Sequence, residues 1–248
     1  MEKNKHIIQP EILSRYSRVL SAVSTRSGGV SPEPYGMNLS FRVGDAEENV
    51  RSNRELFFGG LGIDLHELAV PDQVHGSTVV SAGEAGSYPG TDGLVTTAAR
   101  VFLCVTVADC VPLLMVDPVA HAVAAVHAGW RGTVAGIASV AVEHLQKECA
   151  AVPDRIVAYL GPSAGLCCYE VSEDLASHFD GRFVRRADGR VSVDLKMANR
   201  HQLIESGVRP ENIEASPHCT ISEPILFHSY RRDRDRSGRL MAVIGLRE

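Results

Sequence analysis

Two histidines and one cysteine are the residues in this sequence best suited to chemistry. His75 lies in the segment DQVHG, Cys110 ends the segment ADC, and His127 begins the segment HAGWRG. Imidazole nitrogen and thiolate sulfur suit zinc, and a set of three protein ligands leaves a fourth position for water or substrate. The trio therefore predicts an open metal site of the catalytic kind. A lone His or Cys beside an apolar strand is more often a core residue, and these separations match no compact zinc finger.

The elements that must position this trio are predicted strands. Residues 68–74, 101–107 and 120–126 are apolar, and we expect each to be a strand that runs into a loop carrying one member of the trio. Strands and helices interleave, but adjacent strand pairs also occur, which favours a mixed α+β fold over a doubly wound parallel sheet. Further strands are predicted at 19–25, 78–80, 113–116, 155–160, 213–216 and 240–246, and helices at 46–61, 133–150, 172–179 and 194–207.

Composition bounds the class of protein and its partners. The 248 residues are 44% apolar and 22% charged, with a net charge of −5, which is typical of a globular protein with one sizeable core. The densest basic run, at 231–236, alternates with aspartates, so we expect no nucleic-acid partner. No signal-type stretch and no run of about 18 apolar residues is present, which predicts no membrane partner. Six irregularly spaced cysteines favour a cytoplasmic location. Nothing in the sequence predicts the oligomeric state.

Two hydrolase mechanisms compete with the metal site. The segment GPSAG at 161–165 matches the nucleophile-elbow pattern, and Asp194 and His218 follow it in the order of a Ser-Asp-His triad. Against this, the next residues, LCCY, do not resemble the start of the helix that an elbow needs. A cysteine hydrolase would instead use Cys110 as nucleophile, with His127 or His75 as base. Metal content separates this mechanism from a zinc enzyme.

Other sequence features define the remaining alternatives. The sequence contains no phosphate loop, dinucleotide fingerprint, zincin motif or His-x-His copper element. A binding module without catalysis would be favoured if His228 or Cys219 filled the fourth position on the metal. Arg54 and Arg26 lie in segments near the predicted loops, where a guanidinium can bind an anion or a carbonyl-bearing base. A surface ion pair is the commoner role for an arginine.

Several short motifs occur in a characteristic order along most of the chain. They are TRSGGVS (25–31), NLS (38–40), VGD (43–45), NR (53–54), QVHG (73–76), TDG (91–93), ADC (108–110), HAGWRG (127–132), GP (161–162), CYEV (168–171) and SYRR (229–232). From about residue 19 onward the chain resembles the multicopper polyphenol oxidase (laccase)-like family. This family is also called the YfiH-type or laccase-domain purine nucleoside phosphorylase family. Residues 222–228 are less family-like.

This resemblance implies a fold, a metal and a set of reactions. The fold would be two mixed β-sheets packed together and flanked by helices, which we assign to a single catalytic domain at 18–248 after an extension at 1–17. One zinc ion would be bound by His75, Cys110 and His127. The implied activity is phosphorolysis of adenosine, inosine, guanosine and methylthioadenosine, together with adenosine deamination. Copper-dependent phenol oxidation is an older family label, and editing of peptidoglycan precursors is a separate proposal for some members.

The implied reactions also suggest roles for individual residues. We expect Arg54 to contact the phosphate or the purine, with Asn38 and Gln73 as hydrogen-bonding neighbours and Arg26 as a further candidate. Asp109 would transfer a proton or orient a ligand, although it would serve equally as a turn residue. Cys110 would be both ligand and catalytic residue. Copper oxidation is harder to support, because one-electron chemistry on oxygen normally needs several coppers.

Overall fold

The computed structural model describes residues 7–248, which form an α+β sandwich. The strands are β1 Ile7–Ile8, β2 Val19–Ser24, β3 Leu68–Asp72, β4 Val79–Ser81, β5 Gly86–Pro89, β6 Gly93–Thr96, β7 Phe102–Val107, β8 Val111–Asp117, β9 Ala122–Ala128, β10 Val157–Leu160, β11 Val184–Ala187, β12 Arg190–Val193, β13 Ile213–Ala215 and β14 Leu240–Leu246. The helices are α1 Glu47–Leu61, α2 Trp130–Val134, α3 Ile137–Cys149, α4 Glu173–Ala176, α5 Leu195–Glu205 and α6 Tyr230–Asp233.

Two six-stranded sheets form the body of the fold. The first has the order β1-β2-β14-β7-β3-β5, and the second has the order β13-β10-β8-β9-β6-β4. Both are mixed. In the first sheet β3 is parallel to β5 and β7, whereas β14 is antiparallel to β7. In the second sheet β8 and β9 are antiparallel, whereas β10 and β13 are parallel. The predicted architecture of two mixed sheets flanked by helices in a single domain is therefore confirmed. A two-stranded hairpin of β11 and β12 stands apart.

Strand β7 shows how side-chain alternation builds the layers. Leu103 and Val105 point into the core between the two sheets, whereas Phe102 and Cys104 point to the opposite face. Because successive side chains in a strand face opposite sides, one apolar strand can serve both layers. Helix α1 covers the outer face with Phe57, and burial of such a side chain stabilises the fold by about 1.5–3 kcal/mol.

The second sheet is covered on its outer side by α3 and α5. Ile137, Ala141 and Leu145 recur at helical spacing along α3 and pack against this sheet. The N-terminal segment also belongs to the packed structure, because β1 pairs with β2 and Leu13 is buried in the core between the sheets. None of the helices within residues 7–248 has the length and apolar character needed to cross a membrane.

The prediction of one continuous helix at 133–150 is wrong. The chain forms α2 and α3 instead, and Gly136 between them has a φ of 79°, which a continuous right-handed helix does not allow. The helix predicted at 172–179 is a single turn, α4. Strands β5 and β6 and the β11–β12 hairpin were not predicted. The helix at 46–61 and the strand at 240–246 are confirmed to within one residue.

Candidate metal centre

The three predicted ligands meet where the chain crosses from one sheet to the other. Cys110 lies in the short connection between β7 of the first sheet and β8 of the second. His75 lies in the loop after β3, and one donor atom from each of the three side chains lies within 4.8 Å of the others. His127 was predicted to follow its strand. It lies inside β9, opposite Pro112, because β8 and β9 pair two residues beyond the predicted end.

Two non-glycine residues at the centre have left-handed backbone conformations. The φ angle is 61° at His75 and 90° at Asp109. Such conformations cost of the order of 1–3 kcal/mol and persist only where surrounding contacts hold them. The His75 loop has such contacts, because three consecutive amides of this loop donate hydrogen bonds to one carboxylate.

That carboxylate belongs to Asp92, which is fully buried. Its Oδ1 accepts a hydrogen bond from the amide of His75 at 3.0 Å, and its Oδ2 accepts one from the amide of Gly76 at 2.7 Å. Oδ1 also lies 2.8 Å from Nδ1 of His127, so that Nδ1 donates and Nε2 is left as the donor atom for a metal. Asp92 lies in the motif TDG, and no role was predicted for it.

The electrostatics of the centre favour an ionised thiol. Burial by itself raises the pKa of Cys110, but the charge of His127 and hydrogen bonds from His127 and His75 outweigh it and lower the pKa to about 6. Burial lowers the pKa of His127, whereas Cys110 and Asp92 raise it to about 9. Cys110 therefore carries a thiolate at neutral pH, which is the form that binds a metal or attacks a carbonyl.

The space around the donor atoms fits a metal ion. A Cβ atom on Gly129 would lie 3.2 Å from Sγ of Cys110 and 3.3 Å from Cδ2 of His75, so glycine keeps this space clear. Among residues 7–248, no further His, Cys, Asp or Glu side chain joins the group. Cys219 belongs to a different cluster, and His228 is buried with both ring nitrogens unpartnered. Neither His228 nor Cys219 therefore supplies a fourth protein ligand.

The trio lines a cavity of about 570 Å³ that is rich in arginine and aromatic side chains. Three of the arginines stack on rings in the same cavity, with guanidinium carbons 4.4–5.5 Å from the ring centroids. The stacked pairs are Arg131 on Trp130, Arg231 on Tyr169 and Arg239 on Tyr230. Backbone carbonyls also hold two of these guanidinium groups, since Nη1 of Arg231 donates to Glu170 at 2.8 Å and Nη1 of Arg239 donates to Ser237 at 2.8 Å. A guanidinium has five N–H donors, so each group retains N–H donors with which it could bind an anion.

Two of the other predicted site residues line this cavity. The side chain of Gln73 is held by Thr106, because its Nε2 donates to the carbonyl of Thr106 at 2.9 Å and its Oε1 accepts from the amide at 2.8 Å. The carboxylate of Asp109 accepts hydrogen bonds from Oγ1 of Thr220 at 2.7 Å and from the amide of Arg231 at 2.6 Å. Asp109 therefore anchors the C-terminal wall of the cavity.

Arg54 lies in an adjoining cavity. The two cavities share Gln73 and Thr106 among their lining residues. Nε of Arg54 donates to the carbonyl of Leu39 at 2.9 Å, and the guanidinium lies over the ring of Phe41 at 4.5 Å. Burial lowers the pKa of Arg54 from its usual value. Its role in substrate binding stays a prediction.

Asn38 and Arg26 do not line the cavity of the trio. Asn38 is fully buried, and its amide donates to the carbonyl of Ser40 at 3.1 Å and accepts from the amide of Arg239 at 2.9 Å. Arg26 forms an ion pair with Glu33 and lines a separate cavity with Arg232. Direct contact of Asn38 or Arg26 with a substrate stays a prediction.

The hydrogen bonds of a serine hydrolase triad are not present among the described residues. The hydroxyl of Ser163 is buried without a partner, the carboxylate of Asp194 caps α5, and Nδ1 of His218 pairs with Glu223 at 2.7 Å. No helix follows Ser163 directly, since the next one, α4, begins at Glu173. The nucleophile-elbow interpretation is not supported.

Sequence reasoning missed most of the cavity wall. Tyr169, Tyr230 and Arg231 lie in the motifs CYEV and SYRR, which were noted without roles. Their position in ordered motifs was the sequence signal that could have identified them. Arg239 lies outside the motifs, and no sequence signal pointed to it.

A family model described as multi-copper polyphenol oxidoreductase laccase matches residues 20–247. The chain is 42% identical to a purine nucleoside phosphorylase of Deinococcus radiodurans, over 91% of this chain and 88% of the relative. It is 37% identical to adenosine deaminase RL5 of an unknown prokaryotic organism, over 84% and 86% of the two chains. It superimposes on the crystal structure of YlmD from Geobacillus stearothermophilus with a TM-score of 0.92 and 33% identity, covering 100% and 98% of the chains.

Proposed function

This chain belongs to the multi-copper polyphenol oxidoreductase laccase family, as its motifs predicted, and on that premise we propose that it is a zinc-dependent purine nucleoside phosphorylase that also deaminates adenosine. The names of its relatives support purine nucleosides as substrates. One observation carries the proposal: the donor atoms of His75, Cys110 and His127 lie in the same cavity as three ring-stacked arginines. Adenosine, inosine, guanosine and methylthioadenosine are the proposed nucleosides, with phosphate as second substrate.

The arginines supply the phosphate site in this proposal. Arg131, Arg231 and Arg239 present N–H groups to the cavity while their faces rest on aromatic rings. Guanidinium groups bind phosphate oxygens in pairs, and their fixed positive charges stabilise the negative charge of the incoming nucleophile. Phosphate would therefore be bound and oriented by these arginines in the wall of the cavity.

The aromatic side chains supply a surface for the purine. Trp130, Tyr169 and Tyr230 line the cavity and offer flat apolar faces, on which a heterocyclic base can stack. Gln73 is fixed by Thr106 and so presents a rigid polar edge beside the trio. A fixed cavity lowers the entropy lost when nucleoside and phosphate are brought together.

The trio supplies the site for zinc. A zinc ion bound there would act as a Lewis acid and would lower the pKa of water toward neutrality. Asp92 keeps Nδ1 of His127 protonated, so that Nε2 stays directed to the ion. We propose zinc rather than copper because oxygen chemistry normally needs several coppers, and the described residues hold one histidine-containing group of donors. A cytoplasmic location is also proposed, which the free state of all six cysteines supports.

The test combines metal analysis with product identification. Purified protein should contain about one equivalent of zinc at this centre and release adenine from adenosine only with phosphate. Deamination of adenosine should give inosine and ammonia without phosphate, and hypoxanthine should follow from inosine only when phosphate is added. Cys110→Ser should lose turnover and the equivalent of zinc bound at this centre, whereas Cys149→Ser, at the end of α3, should retain both. Full nucleoside turnover by chelated, metal-free protein would favour a cysteine hydrolase. Phenol oxidation by copper-loaded protein without nucleoside turnover would favour the older family label.

A further inference from the structure

A second cluster of metal-binding side chains lies outside the cavity of the trio. Sγ atoms of Cys167, Cys168 and Cys219 lie within 4.8 Å of one another, and the first two are 3.2 Å apart. The two loops that carry them are joined, because the amide of Thr220 donates to the carbonyl of Ser163 at 3.0 Å. The sequence alone did not predict that these three cysteines lie together.

The surroundings of this thiol cluster are suited to negatively charged sulfur. The amide of Gly165 donates to Sγ of Cys219 at 3.3 Å. The ammonium group of Lys196 is held nearby by the carbonyls of Ser216 and His218 at 2.8 and 2.9 Å, and it interacts with Cys219 and Cys167. A backbone N–H group and a positive charge therefore both lie beside the sulfur atoms of this cluster.

Glycine at position 165 makes the close approach of the sulfurs feasible. A Cβ atom there would lie 3.4 Å from Sγ of Cys167 and 3.4 Å from Sγ of Cys219. Gly129 has the same relation to the donor atoms of the first trio. Solvent can reach the cluster, because Cys167 is exposed and lines a cavity. Cys219 is buried.

We propose that Cys167, Cys168 and Cys219 form a second metal site, which binds a thiophilic cation, zinc or copper(I), through three thiolates. Thiolate sulfur selects these ions over harder cations. Three sulfurs placed about 2.3 Å from a zinc ion in tetrahedral geometry lie about 3.8 Å apart, a separation within reach of the observed cluster. A zinc ion would offset two of the three negative charges that result when three sulfurs ionise together, and the ammonium group of Lys196 lies nearby.

A bound ion would join two loops that continue into the wall of the first cavity. Tyr169 follows Cys168 directly, and Arg231 lies over its ring at 4.6 Å. Thr220 follows Cys219 and donates to Asp109. The second site would therefore stiffen the aromatic and arginine wall without contacting a substrate. This structural role does not depend on which reaction the first centre performs.

The experiment is a titration of the full chain, metal-free and kept reduced, with Co²⁺ as a spectroscopic probe for zinc. We expect two equivalents to bind, and the sulfur-to-cobalt charge-transfer band to come mostly from the second site, which holds three of the four sulfurs. Cys167→Ser should weaken one equivalent by about tenfold or more and remove most of that band. His75→Ala should spare the band, and Cys149→Ser should bind like the wild-type chain.

Controls make the result decisive. Cys167 is exposed, so the metal-free Cys167→Ser variant should unfold at the same temperature as the wild type, and added Zn²⁺ should raise the Tm of the wild type more than that of the variant. Competition between Zn²⁺ and Cu(I) then identifies the preferred ion. Binding of a single equivalent by wild-type protein with all six thiols free would overturn the proposal. So would a second equivalent that Cys167→Ser and Cys219→Ser leave unchanged.

Discussion

Oδ1 of Asp92 lies 2.8 Å from Nδ1 of His127, and both side chains are almost completely buried. The same carboxylate accepts the amide hydrogens of His75 and Gly76. One residue thus orients a ligand on strand β9 and holds the loop of a second ligand. Hydrogen bonds from Gly76, Val74 and His127 lower the pKa of Asp92, although burial alone would raise it.

We expect Asp92→Asn to lower zinc affinity by about 10–100-fold, because the ring of His127 loses the acceptor that fixes its orientation. The amide retains one acceptor oxygen for the loop, so the free energy of unfolding should fall by only about 1–3 kcal/mol. Competition with a coloured chelator measures the affinity. Asp154→Asn, which removes an exposed ion pair with Arg209, is the matched control and should change neither quantity. Wild-type affinity in Asp92→Asn would contradict the role assigned to this residue.

Gly129→Ala tests whether the space beside the trio is needed for the ion. The new Cβ would lie 3.2 Å from Sγ of Cys110 and 3.3 Å from His75, closer than most such contacts, so the donor atoms must separate. We expect zinc content to fall well below that of the wild type while the fold persists, as measured by elemental analysis and circular dichroism. Gly60→Ala in α1 has no atom within 4 Å of the new Cβ. This control should retain zinc and gain about 0.5–1 kcal/mol of stability.

Arg54→Ala should lower turnover and leave zinc content unchanged. If Arg54 contacts the phosphate or the purine across the boundary of the adjoining cavity, loss of a charged hydrogen bond of about 1.5–3 kcal/mol lowers kcat/KM by about 10–100-fold. Arg51→Ala is the control, because Arg51 lies on the same helix, lines the same cavity and pairs with Glu47. Equal losses in both variants would point to a general effect of positive charge. Loss of zinc in Arg54→Ala would show a structural role.

The three candidate ligands could be picked out because their chemistry is visible in single residues and they follow or end apolar strands, and the structure brings their donor atoms together. Asp92 was not, because its role depends on strand pairing that brings residue 92 beside residues 75 and 127. The same limit applies to Arg239, whose guanidinium reaches the cavity from the end of the chain. Arg54, in contrast, was predicted from its motif, and the fold places it in the neighbouring cavity. Motifs identify which residues matter more readily than they identify which cavity each residue lines.

His228 predicts a measurable pH dependence of stability. Its imidazole is buried, and neither ring nitrogen has a hydrogen-bond partner in the described part of the chain. Burial, together with the charges of Arg26, Arg239 and Arg232, lowers its pKa from 6.5 to about 3, while Asp233 opposes the shift. Below about pH 6.5 the unfolded chain binds a proton that the folded chain does not, so stability falls as the pH decreases toward 3.

The expected slope is up to about 1.4 kcal/mol per pH unit, which gives a loss of roughly 2–3 kcal/mol at about pH 4.5 relative to neutral pH. His228→Leu should remove this part of the profile, since leucine neither titrates nor leaves buried polar nitrogens without partners. Urea denaturation of both proteins between neutral and acidic pH measures the difference, and subtraction cancels the contribution of carboxylates common to both. His66→Leu replaces an exposed histidine and should follow the wild-type profile. Parallel profiles for wild type and His228→Leu would contradict this prediction. They would mean that the imidazole is protonated inside the fold, where the negative charge of Asp233 would compensate its positive charge.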